Sequence, residues 1–530
     1  MDMRLVPLST VSELGDCPPS ATSPPDKIRP ITEIADIARQ LRQGGKTVVQ
    51  AHGTFDLLHV GHVRHLEAAR AQGDVLIVTV TADRFVNKGP GRPVFSEMLR
   101  AEMLASLHHV DWVGISESTD AVAAISLIQP ALYVKGQDYL DPEADVTCKI
   151  VLERAAVEAH GGRVHFTEEL VFSSSELINR HFSALGPHAR RFLDRLRREI
   201  GLTELARLIE RVRDYRVVLV GDAIVDEYQY VLPTGRALKE SIPAGRLQSS
   251  ETFAGGVFST ENHIGSFCKS VDVISCLGAA DSHEELIRRS LRPNVQLHAL
   301  RRESAPTTLK RRFVDPSTMR KLFEVHVIDD RPLSATLERE LDGLVRELAP
   351  QSDTVIVSDF GHGLIGPRAI EAIASASPFL AVNAQTNNAN LGYNLITRYP
   401  RADYVCLNTH EARLAVGDAT SDIAQVARRL LKQHLNCRKL IVTDGERGCI
   451  VCERDGSVKA IPGIGGRVVD SMGAGDAFFA VTAPLAAAGG PLEAIGFIGN
   501  VAGALKLGVA GHRGAVEKAA LLKAVTALLK

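Results

Sequence analysis

The chain alternates short β-branched runs with stretches of helical periodicity, and this alternation limits its fold more than any other feature. Strand-like runs lie at residues 47–51, 74–81, 110–115, 131–134 and 163–167, and amphipathic helical stretches at 60–72, 96–108 and 146–160. The alternation returns after residue 354. Such a βαβα order is typical of parallel sheets covered by helices on both faces. We therefore expect an α/β protein.

The length of the chain predicts more than one hydrophobic core. A chain of 530 residues exceeds the usual size of one domain. We expect a disordered, proline-rich tail at 1–30, a first domain at 45–183, a linking helix at 184–214 and a second domain at 215–530 with a small β appendage. The linking helix is basic, and a solvated helix face explains its charge better than an acidic partner does.

Composition excludes several classes of protein. The 61 basic and 63 acidic residues leave a net charge of −2, so no global positive field attracts nucleic acid. Eight scattered cysteines are too few for a disulfide scaffold, and no stretch has the pattern of a membrane span or signal peptide. Cys449 and Cys452 have CxxC spacing, but a strand would point them to opposite faces. We expect a cytoplasmic protein without membrane or nucleic-acid partners.

A first candidate site begins where the strand near residue 50 ends. Residues 53–62 read Gly-Thr-Phe-Asp-Leu-Leu-His-Val-Gly-His and open a helix, where free backbone N–H groups favour an anion. His59 and His62 are three residues apart and share a helix face, and Gly61 permits close approach. Two imidazoles there can stabilise charge on a phosphorus transition state.

This string resembles the HxGH nucleotidyltransferase superfamily, in the branch of glycerol-3-phosphate and phosphoethanolamine cytidylyltransferases and heptose-1-phosphate adenylyltransferases. Matching segments at 81–83, 88–93, 134–139 and 172–175 extend the resemblance over about residues 46–181. It implies a Rossmann-like sheet and attack of an acceptor phosphate on a nucleoside triphosphate, with release of pyrophosphate. His59 and His62 would then stabilise the transition state, and Lys88 would bridge the phosphates. The implied nucleotide-binding residues are Gly53, Thr54, Phe55, Gly61, Arg100, Lys135, Ser173, Ser174 and Ser175.

A second candidate site lies at residues 473–476, Gly-Ala-Gly-Asp, just before a helical run of small residues. A flexible turn that leads into a helix N-terminus leaves N–H groups free to bind a phosphoryl group. Asp476, at the start of that helix, can take a proton from a sugar hydroxyl as it attacks a phosphate.

This turn resembles the signature of the ribokinase-like, PfkB-type carbohydrate kinases, from about residue 216 to the end. The resemblance implies a ribokinase-like α/β domain with a small β lid, ATP as phosphoryl donor and Mg²⁺. The implied catalytic residues are Gly473, Ala474, Gly475 and Asp476. Asn408 and Glu411 would hold Mg²⁺ through water. The implied sugar-binding residues are Asp222, Asp226, Gly255, Gly256 and Asn262, and the implied nucleotide loop includes Thr443, Gly445 and Gly448.

One departure from the family pattern limits what the resemblance implies about the sugar, and one group of cations has two possible roles. Residues 383–387 read Asn-Ala-Gln-Thr-Asn where many relatives have an Asp-Pro-Lys/Arg-Gly stretch, so the identity of the substrate does not transfer. Four cations flank strand-like runs of the appended region, Lys310, Arg311, Arg312 and Lys321. They either bind a phosphate already on the sugar or are edge-strand charges that deter aggregation.

Together the halves suggest consecutive steps: phosphorylation of a sugar, then attachment of a nucleotide through that phosphate. The combination resembles the bifunctional heptose-7-phosphate kinase and heptose-1-phosphate adenylyltransferase of surface-polysaccharide synthesis, in which the kinase half comes first. We expect a sugar or sugar phosphate and nucleoside triphosphates as partners, ATP or CTP for the transferase half, and a homodimer. Two alternatives stay open: a polyol-phosphate cytidylyltransferase joined to an unrelated kinase, or one regulatory, non-catalytic half.

Overall fold

A computed structural model describes residues 24–86, 92–136, 149–167, 185–387, 390–465 and 468–529. The chain divides into two compact units. The first comprises Met1–Val86 and Arg92–Ser174, and the second Asn87–Gly91 and Ser175–Lys530. Within the described residues, no helix is both long and apolar enough to cross a membrane.

The first unit is built on a five-stranded parallel sheet of order β3-β2-β1-β4-β5. Its strands are β1 Val48–Gly53, β2 Val75–Thr81, β3 Trp112–Ser116, β4 Leu132–Gly136 and β5 Arg163–Thr167. Its described helices are Ile31–Gln43, Val60–Arg70, Glu97–Ala105, Val122–Ile128 and Lys149–Glu158. The aliphatic side chains of the central strands are fully buried, as expected for a sheet with both faces covered.

The centre of this sheet is a topological switch point. Strand β1 pairs with β2 on one side and with β4 on the other, so the chain runs outward in both directions from this pair. A crevice forms beyond the carboxyl ends of two such strands, and ligands of open α/β sheets bind there. The segment from Gly53 to His62 follows β1 directly and lies at this crevice.

The packed part of the first unit begins before residue 30. A short 3₁₀ turn covers Pro24–Lys27, and the Lys27 ammonium donates to the Val110 carbonyl at 2.9 Å. Ile28 forms a β-bridge with Val113. The end of the segment predicted as a tail is therefore ordered against β3, and residues 1–23 of that segment lie outside the described residues.

The second unit is built on a nine-stranded sheet of order β10-β9-β6-β13-β14-β15-β16-β17-β18, parallel as far as β16. A separate four-stranded sheet, the lid, has the order β12-β11-β7-β8. The strands are β6 Arg216–Gly221, β7 Ala223–Arg236, β8 Pro243–Gly256, β9 Ser270–Ala280, β10 Val295–Pro306, β11 Thr308–Asp315, β12 Arg320–Val327, β13 Thr354–Asp359, β14 Leu380–Ala384, β15 Tyr404–Asn408, β16 Lys439–Thr443, β17 Gly448–Glu453 and β18 Val458–Pro462.

Helices cover both faces of the nine-stranded sheet and enclose two cores. They are Pro187–Glu199, Leu202–Arg211, Val257–Ile264, Glu284–Ser290, Ala335–Leu348, Pro367–Ala376, Thr409–Val416, Ile423–Arg429, Ala474–Ala487, Leu492–Leu507 and Lys518–Leu529. Cys449 lies in one core and Cys452 in the other, so the two thiols of the CxxC sequence point to opposite faces of β17, as predicted.

The segment predicted as one linking helix forms two helices that belong to the second unit. The break falls at Gly201, whose φ of 78° lies in the left-handed region that favours glycine. Phe192 and Leu208, one from each helix, are buried in the same core as Phe479. Both helices are amphipathic, so their apolar faces pack inward and their arginines remain outside.

Candidate active sites

The second unit contains a cavity of about 240 Å³ at the carboxyl ends of its core strands. Its wall combines the ends of β14, β15 and β16, the start of the helix Ala474–Ala487, and the lid strands β7 and β11. Eight residues predicted from the sequence line it: Asp226, Gly256, Asn408, Glu411, Thr443, Gly473, Gly475 and Asp476. They meet because parallel strands bring their carboxyl ends to one edge of the sheet.

The turn at Gly473 points a helix N-terminus into this cavity. Gly473 has φ 75° and precedes the helix, whose first i to i−4 hydrogen bond joins the Ala477 N–H to the Gly473 carbonyl at 2.9 Å. The amides before Ala477 therefore have no partner within the helix and favour an anion. Asp476 lies in the first turn, and its carboxylate accepts a hydrogen bond from Gln385 Nε2 at 2.9 Å.

The charge state of Asp476 depends on several neighbours. Burial raises the pKa of its carboxyl above the ordinary value, and the nearby Asp226 carboxylate raises it further. His512, the amide of Gln385 and Lys310 oppose this rise. A carboxylate with a raised pKa is a stronger base than an exposed one, which suits proton abstraction near neutral pH.

Asp226 lies opposite this turn, on the lid strand β7. Its Oδ1 accepts from the Arg312 guanidinium, and its Oδ2 lies 3.0 Å from His512 Nε2. Burial raises the pKa of Asp226, but His512 and Arg312 outweigh that effect and hold the pKa well below its ordinary value. A Cβ at Gly255 would lie only 2.0 Å from Asp226 Oδ2, which explains the glycine there.

Two lid cations face the cavity and two do not. Lys310 and Arg312 occupy alternate positions of β11, are 8% and 6% exposed, and line the cavity. Arg311, on the other face of the strand, donates to Glu227 at 2.6 Å, and Lys321 on β12 pairs with Asp470 at 2.5 Å. Lys310 and Arg312 therefore bring positive charge to the lid end of the cavity, next to the Asp226 carboxylate with which Arg312 pairs.

Asn408 and Glu411 form a capping box at the start of the helix Thr409–Val416. The Asn408 side chain accepts the Glu411 N–H, and the Glu411 carboxylate accepts the Asn408 N–H, both at 2.8 Å. Burial raises the pKa of Glu411 to about 7, against the hydrogen bonds from the Asn408 and Thr386 backbones. Among the described residues, no group of three or more His, Cys, Asp or Glu side chains is arranged to hold a metal ion.

Other predicted kinase residues lie outside the cavity wall. The Asp222 carboxylate accepts from the backbone N–H groups of Phe360 at 2.9 Å and of His362 and Leu364 at 3.4 Å, so it orders the loop after β13. The Asn262 side chain accepts from Arg292 Nε at 3.0 Å. Ala474 begins the helix behind Gly473, and Gly445 and Gly448 bound a 3₁₀ turn after β16.

In the first unit the two predicted histidines lie together at the switch point. His59 caps the helix Val60–Arg70, and its ring stacks on that of His62 with centroids 3.9 Å apart. The Phe55 ring meets His62 edge-on at 5.2 Å. Phe55 has φ 50°, a strained conformation for a bulky residue of the kind found at functional sites. Gly53, Thr54 and the buried Gly61 complete this loop and helix start.

Two predicted nucleotide-binding cations have other partners. The Arg100 side chain is fully enclosed and donates to the carbonyls of Thr54 at 2.5 Å and Thr81 at 2.8 Å and to the Asp83 carboxylate at 2.6 Å. It joins the motif loop to β2 and does not face an open site.

Lys135, at the end of β4, is buried and pairs with Glu153 at 3.0 Å. The predicted residues Lys88, Ser173, Ser174 and Ser175 lie outside the described residues.

The prediction missed three residues with direct roles in these sites. Gln385 contacts Asp476, and His512 links Asp226 to Ser259 Oγ, which lies 2.9 Å from its Nδ1. Asp56 is buried and binds Arg92 at 3.1 Å and the Val94 N–H at 2.6 Å. Gln385 lies in the segment 383–387, whose departure from the family pattern indicated a changed site. No sequence pattern around His512 distinguishes it from other histidines.

Comparison with known families agrees with this division. Residues 216–519, more than half of the chain, match the pfkB family carbohydrate kinases. The chain belongs to this family. Residues 51–180 match the cytidylyltransferase-like family, so a nucleotidyltransferase-type domain precedes the kinase domain. The predicted α/β class and both predicted family resemblances are confirmed.

Among curated relatives, several bacterial proteins named bifunctional protein HldE are similar over part of their length. That of Syntrophotalea carbinolica is 39% identical over 144 residues, 27% of this chain and 28% of the relative. That of Alkalilimnicola ehrlichii is 43% identical over 156 residues, 29% of this chain and 31% of the relative. Each match thus spans less than a third of the relative.

Among solved structures, Arabidopsis thaliana ribokinase complexed with ribose and ATP is 20% identical, with a TM-score of 0.47, and the match covers 60% of this chain and 99% of that one. Escherichia coli phosphofructokinase-2 in complex with substrates and products is 14% identical, with a TM-score of 0.48, and the match covers 60% of this chain and all of that one.

Proposed function

We propose that the second unit phosphorylates a sugar with ATP and that the first unit transfers a nucleotide to a sugar phosphate with release of pyrophosphate. One observation carries the kinase half: Asp476 and the anion-binding turn at Gly473 share one cavity with Asp226 and the two lid cations. A base, a phosphoryl site and a substrate site thus lie together, as phosphoryl transfer requires.

In the proposed kinase reaction Asp476 accepts the proton of the sugar hydroxyl as that oxygen attacks the γ-phosphate of ATP. The free amides after Gly473 stabilise the charge of the transferring phosphoryl group, helped by the helix dipole. Gln385 orients the Asp476 carboxylate through its hydrogen bond. Glu411 and Asn408 would hold Mg²⁺ through water, and a bound Mg²⁺ would neutralise the ATP phosphates.

The charges at the lid end favour a sugar that already carries a phosphate. Both oxygens of Asp226 accept from cationic or imidazole groups, so this carboxylate orients Arg312 and His512 more than it offers a free acceptor. Lys310 is buried beside the ring of Phe360, with its ammonium 5.8 Å from the ring centroid. Lys310 supplies a positive charge that suits a phosphate, and the Arg312 guanidinium beside it pairs with Asp226 and with Glu324 at 3.3 Å. A heptose phosphate, which the family resemblance suggests, has this chemistry.

In the proposed transferase half, His59 and His62 stabilise the transition state at the α-phosphate of ATP or CTP. Their stacked rings lie at the N-terminus of the helix Val60–Arg70 and at the crevice between β1 and β4. Arg100 acts as a positioning residue, because its guanidinium holds the Thr54 carbonyl of the motif loop. The product is a nucleotide-activated sugar for glycoconjugate synthesis, and the two reactions are consecutive.

The experiment measures both reactions separately in two variants of the full chain. Asp476→Asn should lower ATP-dependent phosphorylation of the sugar about 10³-fold, because the base is lost, and should leave pyrophosphate release intact. His62→Ala should lower pyrophosphate release about 10²-fold and leave phosphorylation intact. A panel of phosphosugars with ATP and CTP, followed by mass spectrometry, identifies the substrates. Unchanged activity in either variant contradicts the corresponding assignment.

A further inference from the structure

Lys506 is buried next to the candidate kinase site, although no sequence motif includes it. It lies in the last turn of the helix Leu492–Leu507 and is 1% exposed. A lysine is almost never buried so completely unless its charge has partners. Its position therefore indicates a specific electrostatic role.

The Lys506 side chain runs directly beneath the anion-binding turn. A Cβ added to Gly473 would lie 3.3 Å from Lys506 Cε, so the aliphatic stem supports the turn from below. The ammonium donates to the Gly511 carbonyl, one residue before His512 in the cavity wall. Lys506 thus contacts both loops that form this end of the cavity.

Two carboxylates at the same place interact with this ammonium. Burial lowers the pKa of Lys506, and the charges of Asp470 and Asp476 oppose that fall. Asp470 is itself bonded to both loops: its Oδ1 accepts the Met472 N–H at 3.1 Å, and its Oδ2 accepts the Gly511 N–H at 2.9 Å. Lys506 and Asp470 therefore both contact the loop that contains Gly511, and both lie next to the Gly473 turn.

We propose that Lys506 is an internal cation of the kinase site, which holds the Gly473 turn in place and adds positive charge behind its phosphoryl-binding amides. The inference rests on the proposed kinase function. Lys506 does not touch the reacting atoms, so it is a positioning residue that acts through the turn. Because Lys506 is buried, its charge is screened far less than a surface charge. The simpler alternative is that Lys506 only caps carbonyl groups at the end of its helix.

The test uses Lys506→Met and Lys506→Gln in the full chain. Methionine keeps most of the stem without the charge, and glutamine also keeps a donor for the Gly511 carbonyl. The matched control is Lys439→Met. Lys439 is also partly buried and donates to a glycine carbonyl, that of Gly490 at 3.0 Å, but it lies at the opposite end of β16 from the cavity residue Thr443.

We expect both Lys506 variants to lower kcat for sugar phosphorylation about 10²-fold, while KM for ATP and sugar changes less than about threefold. Ammonium or methylammonium added to the Lys506 variants should restore part of kcat, because a small cation can replace the missing charge. The Lys439 variant should keep the wild-type kcat and show no response to ammonium.

A Lys506→Gln enzyme with wild-type kcat would overturn the proposal, since the donor remains and the charge is gone. A loss of kcat that no amine restores would assign Lys506 a structural role only and would also overturn it. If Lys506→Met does not fold, Lys506→Gln and its amine response still decide the question. A wild-type enzyme that phosphorylates no sugar would instead refute the kinase function itself.

Discussion

At the scale of single residues, the contact between Gln385 and Asp476 links the segment 383–387, which departs from the family pattern, to the proposed base. Gln385 follows β14, and its amide donates to Asp476 Oδ1 at 2.9 Å. A hydrogen bond to an ionised carboxylate favours the charged form and so lowers its pKa. Burial acts in the opposite direction on Asp476. Gln385 therefore keeps the base ionised at lower pH.

Gln385→Ala should move the acidic limb of the kcat–pH profile upward. Loss of the hydrogen bond raises the pKa of Asp476, so less of the base is ionised on the acidic side. We expect a larger loss of kcat on the acidic side of the profile than on its alkaline side. Kinase assays at saturating substrate across this range measure the effect. Gln351→Ala, which removes a surface amide bonded to the Glu347 carbonyl, is the control. An unshifted limb contradicts the role of Gln385.

Glu261 makes stability depend on pH. It is fully buried in the helix Val257–Ile264, and burial raises its pKa from 4.5 to about 8, partly opposed by Arg292. The folded state therefore holds the proton more tightly than the unfolded state does. Stability contributed by this group is present below about pH 4.5 and is lost as the pH rises to about 8.

Glu261→Gln should remove that dependence. As the pH rises from 5 to 8.5, the unfolding free energy of the variant should increase relative to that of wild type by on the order of 2–4 kcal/mol, because glutamine carries no charge to desolvate. Urea unfolding at the two pH values measures the difference. Other buried carboxyls, such as Asp222, are common to both proteins and cancel in the comparison. Equal pH dependence in the two proteins would show that Glu261 contributes none of it.

At the scale of elements, the close pairing of β7 with β8 shapes the lid end of the cavity. Asp226 on β7 and Gly255 near the end of β8 approach so closely that only a hydrogen fits between them. Strand β8 was not predicted, because its residues are mostly polar and exposed. Its strand form depends on the ladder with β7, a non-local contact that no periodicity in its own sequence signals.

Gly255→Ala should damage both stability and substrate binding. The new methyl group would lie 2.0 Å from Asp226 Oδ2 and would displace a carboxylate that also holds Arg312 and His512. We expect a loss of about 2 kcal/mol in unfolding free energy and a raised KM for the sugar. Gly343→Ala is the matched control: it lies exposed in the helix Ala335–Leu348 with no atom within 4 Å of its added Cβ, and should gain about 0.5–1 kcal/mol. Equal behaviour of the two variants would contradict this account.

At the scale of the whole molecule, His59 and His62 lie in the first unit, and Asp476 lies in the second. The histidines of the first unit and Asp476 of the second belong to different sheets and different cores. If the reactions are consecutive and the intermediate diffuses, the two sites need not be on the same chain.

Asp476→Asn and His62→Ala should therefore complement each other in trans. Neither variant alone should convert the sugar substrate of the kinase into the nucleotide sugar. An equal mixture of the two variants should make it, because the kinase product of one chain can reach the transferase site of the other. Mass spectrometry of the reaction mixture identifies the product. A mixture that makes none, although each variant keeps its remaining activity, would contradict consecutive steps and favour two uncoupled activities.

Most of the first sheet followed from local pattern. Strand β5 was predicted at 163–167 and forms Arg163–Thr167, because a run of β-branched and aromatic residues bounded by polar turns favours a strand wherever it lies. Arg100 was harder to predict. The resemblance predicts a nucleotide contact for Arg100, whereas no local pattern indicates that its guanidinium donates to three backbone carbonyls and to Asp83.

The sequence by itself determined the parallel sheets and the two glycine-containing turns, because periodicity and helix starts depend on residues close together in the chain. Only the tertiary structure decided which groups meet in the kinase cavity. Arg312 and His512 are 86 and 286 residues from Asp226, and they reach its two oxygens only because the lid and the last helices fold over one sheet edge. Contacts at such separations leave no local pattern, so the sequence predicts Asp226 as a sugar ligand but gives no sign of its partners Arg312 and His512.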